Sequence, residues 1–245
     1  MSFQVCWPTR SRTGSTFVVK LTRAAFGSRL KNVARVNGYR KDNAASADTI
    51  GEFRAMFLEG RALEYIADNN IDAMKFEDPG DTDFIIRLFD KYPEAKAVAS
   101  WRPIEKVLSS HESINKWGHT EANVLHQFSA SLHVYRELHR RGQLCLINVE
   151  SPESFDVDAF CAFLKLPKNP QIEKLAAEWE PVNTLEYQQE QHDGGTHGRV
   201  VSDRILAIRD IHPWIPELED AYVAMTLTRN LQGRSQRIDQ DVSAS

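Results

Sequence analysis

The stretch Phe3-Gln4-Val5-Cys6-Trp7-Pro8-Thr9-Arg10-Ser11-Arg12-Thr13-Gly14-Ser15-Thr16-Phe17 decides the reading of this chain. Phe3–Trp7 is short and apolar and is stopped by Pro8, so it predicts a strand. Val18, Leu21 and Ala25 then fall at helical spacing, and Gly27 ends that segment. Between the two lies a loop with two arginines, one glycine and five hydroxyl residues. A helix start presents backbone N–H groups without intrahelical acceptors, and the helix dipole favours an anion there. Gly14 permits a tight backbone path. Arg10 and Arg12 add charge and forked donors, and Ser15 and Thr16 add hydroxyls. A helix merely capped by Ser or Thr is the competing explanation. A cap alone, however, does not call for two arginines and a glycine. No Gly-Lys-Ser/Thr follows, so this is not the loop of magnesium–nucleotide kinases.

Outward from this loop the pattern is repetitive. Ile71–Phe76, Ala95–Ser100 and Leu144–Val149 are further strand candidates. Helices are predicted over Glu52–Asp68, Thr82–Lys91, Ile104–Ser113, Thr120–Arg140, Ser154–Leu164, Gln171–Trp179 and Pro216–Leu227. In the longest one, Ala122, Leu125, Phe128, Leu132 and Tyr135 form the apolar stripe. Leu30–Asp48 is polar and basic with no clean period, and reads as an excursion over a site. Apolar strands alternating with helices imply an α/β fold with a mainly parallel sheet flanked by helices. A chain of 245 residues, 42% hydrophobic and 26% charged, is expected to be one domain, 1–245. Segments 28–70 and 110–142 would then supply a helical or loop cap near a ligand, and 234–245 a frayed tail.

The net charge of −4 gives no general attraction to polyanions, so no nucleic-acid partner is expected. Cys6, Cys145 and Cys161 are scattered, without metal spacing, and Cys6 and Cys145 fall in strand-like runs as buried thiols. His119, His126 and His133 repeat every seven residues along one helix face. A seven-residue step is about 10 Å at the helical rise, too long for a shared metal. No stretch is apolar enough for a membrane span, and Met1–Pro8 lacks the pattern of a leader, so a cytoplasmic enzyme is expected. The Arg140-Arg141 pair reads as a helix C-terminus, where cations are favoured.

Arg12-Thr13-Gly14-Ser15-Thr16-Phe17 resembles the loop of sulfotransferases that use 3′-phosphoadenylyl sulfate, which reads Lys/Arg-Ser/Thr-Gly-Ser/Thr-Thr-aromatic. The resemblance implies a P-loop-like three-layer fold and a grip on the 5′-phosphosulfate by Arg10, Arg12, Thr13, Gly14, Ser15, Thr16 and Phe17. It extends to Trp101-Arg102-Pro103 and the serines that follow, where the family holds the 3′-phosphate with an arginine and a serine. The arginine position here is Trp101, with Arg102 next to it. Ser109 keeps the family register, and Ser110 keeps it if Arg102 sets the count. Phe163-Leu164-Lys165-Leu166-Pro167 matches a family helix end, and Val149-Glu150-Ser151 stands where the family has Tyr-Glu-Asp. Gly194–Arg199, with Gly198 and Arg199, is similar to the late glycine-rich loop but lacks its Trp.

By the same resemblance, Lys75 and Glu77 fall where the family carries a lysine and a base. Two residues apart on a strand share a face. Asp78 is the competing base, and both carboxylates also suit a polar turn before Pro79-Gly80. The resemblance therefore implies sulfuryl transfer with Arg12 and Lys75 stabilising charge, Glu77 taking a proton and no metal. The acceptor would be a small molecule or a glycan. Two other readings stay open: a P-loop-like nucleotide kinase or other phosphoryl-ligand enzyme, and an inactive binding module of the same fold.

Overall fold

The computed structural model describes residues 3–10, 13–35, 56, 58–76, 82–112, 121–151, 154–179 and 203–227. Five strands form one all-parallel sheet among them: β1 (Val5–Pro8), β2 (Val33–Arg35), β3 (Ala73–Phe76), β4 (Lys96–Trp101) and β5 (Leu144–Asn148), in the order β2-β3-β1-β4-β5. The α/β architecture expected from the strand–helix alternation is the observed one. The edge strand β2 was not expected, because it lies inside the polar stretch read as an excursion. Three residues carry no period, and what fixes this strand is remote. The buried Asp72 accepts N–H bonds from Lys31 and Asn32 at 3.0 Å each, and its own N–H reaches Asn32 O at 2.9 Å. Those bonds set Val33 opposite Ala73.

The helices are α1 (Ser15–Phe26), α2 (Ala62–Asp68), α3 (Thr82–Lys91), α4 (Ile104–Glu112), α5 (Glu121–Arg140), α6 (Val157–Leu164), α7 (Pro170–Ala177), α8 (Asp203–Leu206), α9 (Ile208–Ile211) and α10 (Ile215–Met225). Alternation along the strands divides them into two layers. Val5 and Trp7 of β1, Ala73, Val98, Cys145 and Ile147 pack against α1, α6 and α7. Cys6, Met74, Phe76, Ala97, Ala99, Trp101 and Leu146 pack against α2, α3, α4, α5 and α10. Full burial of one such side chain contributes roughly 1.5–3 kcal/mol.

Local signals explain several boundaries. Asp156 caps α6 by accepting Ala159 N–H at 3.0 Å. Asn169 caps α7 through Ile172 N–H, ahead of Pro170, and its amide also donates to Ala24 O of α1. Arg140 and Arg141 close α5 on Glu137, and Arg141 also reaches Asp90.

The long helix corrects the predicted stripe. Ala122 is exposed, whereas Leu125, Phe128, Leu132 and Tyr135 are buried together with Val124, Ser131, Val134 and Leu138. The contact face is wider than one heptad seam because α5 meets the sheet, α3 and α10 together. It packs on the sheet face that also carries α3 and α10. Within the expected cap 28–70, the described residues supply β2 and the core helix α2. His126 and His133 are exposed, and His119 lies outside the described residues. After α10 the chain returns beside β5, where Leu227 N–H bonds Leu146 O at 2.9 Å and covers that edge. The predicted tail 234–245 lies outside the described residues.

Candidate anion site at the strand ends

The strand order places the site. From β1 the chain first builds outward through β2 and β3, then crosses to β4 and β5. The reversal therefore falls between β1 and β4, and in open parallel sheets that gap opens a crevice at the carboxyl ends of the strands. The loop after β1 enters this gap. Thr13 Oγ1 donates to Arg10 O at 2.9 Å and lies 3.4 Å from Ser100 Oγ on β4.

The base of the loop is tied to the layer below. Tyr135 of α5 donates its hydroxyl to Pro8 O. Burial raises that phenol's pKa well above the usual tyrosine range, so it remains a donor. Arg10 is buried and turns toward α5: its Nε donates to Ser131 Oγ at 2.7 Å, Nη2 donates to the same oxygen, and the guanidinium stacks 4.8 Å over Phe128.

Gly14 is the N-cap of α1, with φ 83° in the left-handed region. A Cβ there would lie 2.6 Å from Val149 Cγ1, so glycine is required both by conformation and by the approach of the turn after β5. Among the described residues no side chain caps this helix, and its first turn holds no acidic residue. Phe17 N–H bonds Gly14 O at 2.9 Å, and the N-cap residue offers no side-chain acceptor to this turn, unlike Asp156 and Asn169 at α6 and α7. Ser15 is half-buried and Thr16 exposed at the same turn. Phe17 faces the core side, with its ring 3.5 Å from that of Trp179 and in edge contact with Phe155 at 6.5 Å.

Arg102 follows directly on β4 and is buried; it pairs with Glu150 from the turn after β5. Trp101 points the other way, donating from Nε1 to Thr226 Oγ1 at 2.7 Å beside Tyr222. Strand alternation thus puts Trp101 in the core and leaves the buried Arg102 facing Glu150. Ser109 and Ser110 are both buried on α4. Lys75 is half-buried on β3 in register with Trp7, on the sheet face that α1 covers. Arg12, Glu77, Asp78, Gly198 and Arg199 lie outside the described residues.

The structure thus brings together Thr13–Thr16, Arg102 and the turn 149–151 through Ser100 and Val149, and it seats Arg10 on α5. Sequence reasoning passed over Ser100, Ser131, Tyr135 and Trp179, which act through tertiary contact and carry no local motif. Burial raises the Cys6 and Cys145 thiols far above the ordinary value, and Cys161 is also raised, first by burial. None of the three is an activated nucleophile. Among the described residues no group of His, Cys, Asp and Glu could hold a metal ion, and no helix is long and apolar enough to cross a membrane.

No family model matches the chain, and no curated protein matches it. Among solved structures, it is similar to mouse sulfotransferase SULT7A1 complexed with PAP. The TM-score is 0.43 at 12% identity, over 99% of this chain and 89% of that one. It is also similar to a sulfotransferase from Alicyclobacillus acidocaldarius, with a TM-score of 0.37 at 12% identity, over 74% of this chain and 92% of that one. Likenesses this distant supply no residue correspondence.

Proposed function

We propose that this protein is a sulfotransferase that moves a sulfuryl group from 3′-phosphoadenylyl sulfate to a hydroxyl or amine of a small-molecule or glycan acceptor. The observation that carries the reading is the first turn of α1, started by a left-handed Gly14 with no side-chain cap among the described residues, at the strand-order reversal between β1 and β4. Oriented N–H groups, a favourable dipole end and the Ser15 and Thr16 hydroxyls suit a phosphosulfate. The Arg12–Phe17 motif narrows the anion to that donor.

When bound, the donor supplies an electrophilic sulfur and a phosphate leaving group. In this reading Thr13, Gly14, Ser15 and Thr16 hold the 5′ end, with Phe17 buttressed by Trp179. Arg12 and Lys75 offset the negative charge that gathers on the bridging oxygen. Arg102 with Ser109 or Ser110 takes the 3′-phosphate, and Gly198 and Arg199 close over the nucleotide. Glu77 removes the acceptor proton. Arg10 supports the loop from beneath, through α5. Three buried thiols suit a reducing, cytoplasmic setting, and one domain over 1–245 completes the proposal.

Arg12→Ala tests the donor site. A charge-assisted contact contributes roughly 1.5–3 kcal/mol, so affinity for 3′-phosphoadenosine 5′-phosphate is expected to fall about tenfold to hundredfold by calorimetry. Unchanged affinity in a folded variant removes this loop from the donor site.

A further inference from the structure

Ser131 is buried in the middle of α5 and has no part in the chemistry above. A core-facing serine needs a partner, because an unsatisfied buried hydroxyl costs about 1–3 kcal/mol. Its partner is the loop: Arg10 Nε donates to Ser131 Oγ at 2.7 Å, and Arg10 Nη2 donates to the same oxygen. A guanidinium only donates, so both contacts use the lone pairs of the serine and leave its proton for another acceptor. Tyr222 of α10 is that acceptor, through its hydrogen bond with Ser131. The Tyr222 hydroxyl in turn donates to Phe128 O at 2.8 Å. Burial pushes this phenol up to about 12, so it stays protonated and the direction of the chain holds. A buried, one-way series of donors thus runs from Arg10 through Ser131 and Tyr222 to the backbone of α5. Phe128, three residues before Ser131, lies under the guanidinium, and Tyr135, four residues after it, donates to Pro8 O. One face of α5 therefore holds the chain at residues 8 and 10. Arg10 O, at the backbone end of the same arginine, accepts Thr13 Oγ1 at 2.9 Å.

We infer that Ser131 is a positioning residue for the loop that starts α1, acting through Arg10, with Tyr222 setting the direction of its hydroxyl. With its side chain seated on α5, Arg10 offers its carbonyl as a fixed acceptor to Thr13, the residue next to Gly14 and 3.4 Å from Ser100 on β4. Loss of the Ser131 hydroxyl removes one anchor of Arg10 without touching the loop itself. The stacking on Phe128 stays in place, so the expected effect is a looser loop and not an unfolded protein. That the positioned loop takes a phosphosulfate rests on the function proposed above; the positioning does not.

The test is a double-mutant cycle of Ser131→Ala and Arg10→Met. It is read by amide hydrogen exchange over Thr13–Phe17, by calorimetric affinity for 3′-phosphoadenosine 5′-phosphate and by the urea midpoint. Ser131→Ala is expected to speed exchange in that segment about tenfold and to weaken the bisphosphate about tenfold. In the Arg10→Met background the same substitution should add nothing to either. A merely structural serine would lower the midpoint in both backgrounds and leave loop exchange and affinity at their wild-type values. That result, or effects of the two substitutions that simply add, overturns the inference. Should either variant fail to fold, Tyr222→Phe carries the test alone, since it removes only the hydroxyl that orients Ser131. Exchange over Thr13–Phe17 should then rise about two- to tenfold, and a wild-type rate there overturns the inference. Coupled exchange with no bisphosphate bound by any protein, wild type included, keeps the positioning and sinks the proposed donor.

Discussion

Gly14→Ala is expected to destabilise the fold and to abolish oxyanion binding at the loop. Two separate costs act at this position. Left-handed backbone at a non-glycine residue costs roughly 1–2 kcal/mol. The new methyl would also lie 2.6 Å from Val149 Cγ1 and 3.1 Å from Val149 Cβ, in a wall made by the turn after β5. Overpacking of this kind adds roughly 1–3 kcal/mol. The sum, about 2–5 kcal/mol, is a large share of the stability of a typical domain. Any relief comes from moving α1 or the 149–151 turn, and either motion displaces the N–H groups that face the crevice. Val149→Ala in the Gly14→Ala background should restore part of the packing loss and none of the backbone cost. Urea unfolding of the two single variants and the double one separates the terms. A Gly14→Ala protein with the wild-type midpoint and wild-type sulfate affinity would show that the loop tolerates a side chain there.

The second large effect concerns the acceptor proton. Glu77→Gln should lower the single-turnover rate by about 10²–10⁴-fold, the usual contribution of a general base, while leaving nucleotide affinity nearly intact. Gln preserves the size of the side chain and much of its hydrogen bonding. Lys75→Ala should behave differently, because Lys75 lies on the α1 face of β3 opposite Trp7 and is proposed to offset charge on the sulfuryl group. It should reduce both rate and nucleotide affinity. Asp78→Asn is the control, one residue from Glu77 and therefore expected on the opposite face if extended backbone continues past Phe76. If Asp78→Asn is the inactive protein and Glu77→Gln turns over normally, the base is Asp78.

Legibility in the sequence followed the range of the forces involved. Strands β1, β3, β4 and β5 are nearly all apolar and buried on both faces, so they announce themselves as continuous runs. Helix α3 was readable to the residue, over Thr82–Lys91, because its amphipathic period is clean. Strand β2 was not, since Asp72, forty residues away, fixes it through two backbone N–H groups. The loop motif marked the candidate site, but the seating of Arg10 on Ser131 and Phe128 spans more than a hundred residues and leaves no local trace. Glycine at position 14 could be assigned a backbone role from the motif; its second reason, the approach of Val149, required the sheet order. Trp101 packs in the core against Thr226 and Tyr222, a placement set by contacts more than a hundred residues away that the Trp101-Arg102 dipeptide does not reveal.

The most direct measurement is calorimetric titration of the purified chain with 3′-phosphoadenosine 5′-phosphate, beside ATP with magnesium. Sulfuryl transfer predicts saturable, metal-independent binding of the 3′,5′-bisphosphate, weakened by Arg12→Ala and by loss of Arg102, with ATP and magnesium bound far more weakly. Magnesium-dependent ATP binding with no affinity for the bisphosphate would contradict it and make the chain a phosphoryl-transfer protein.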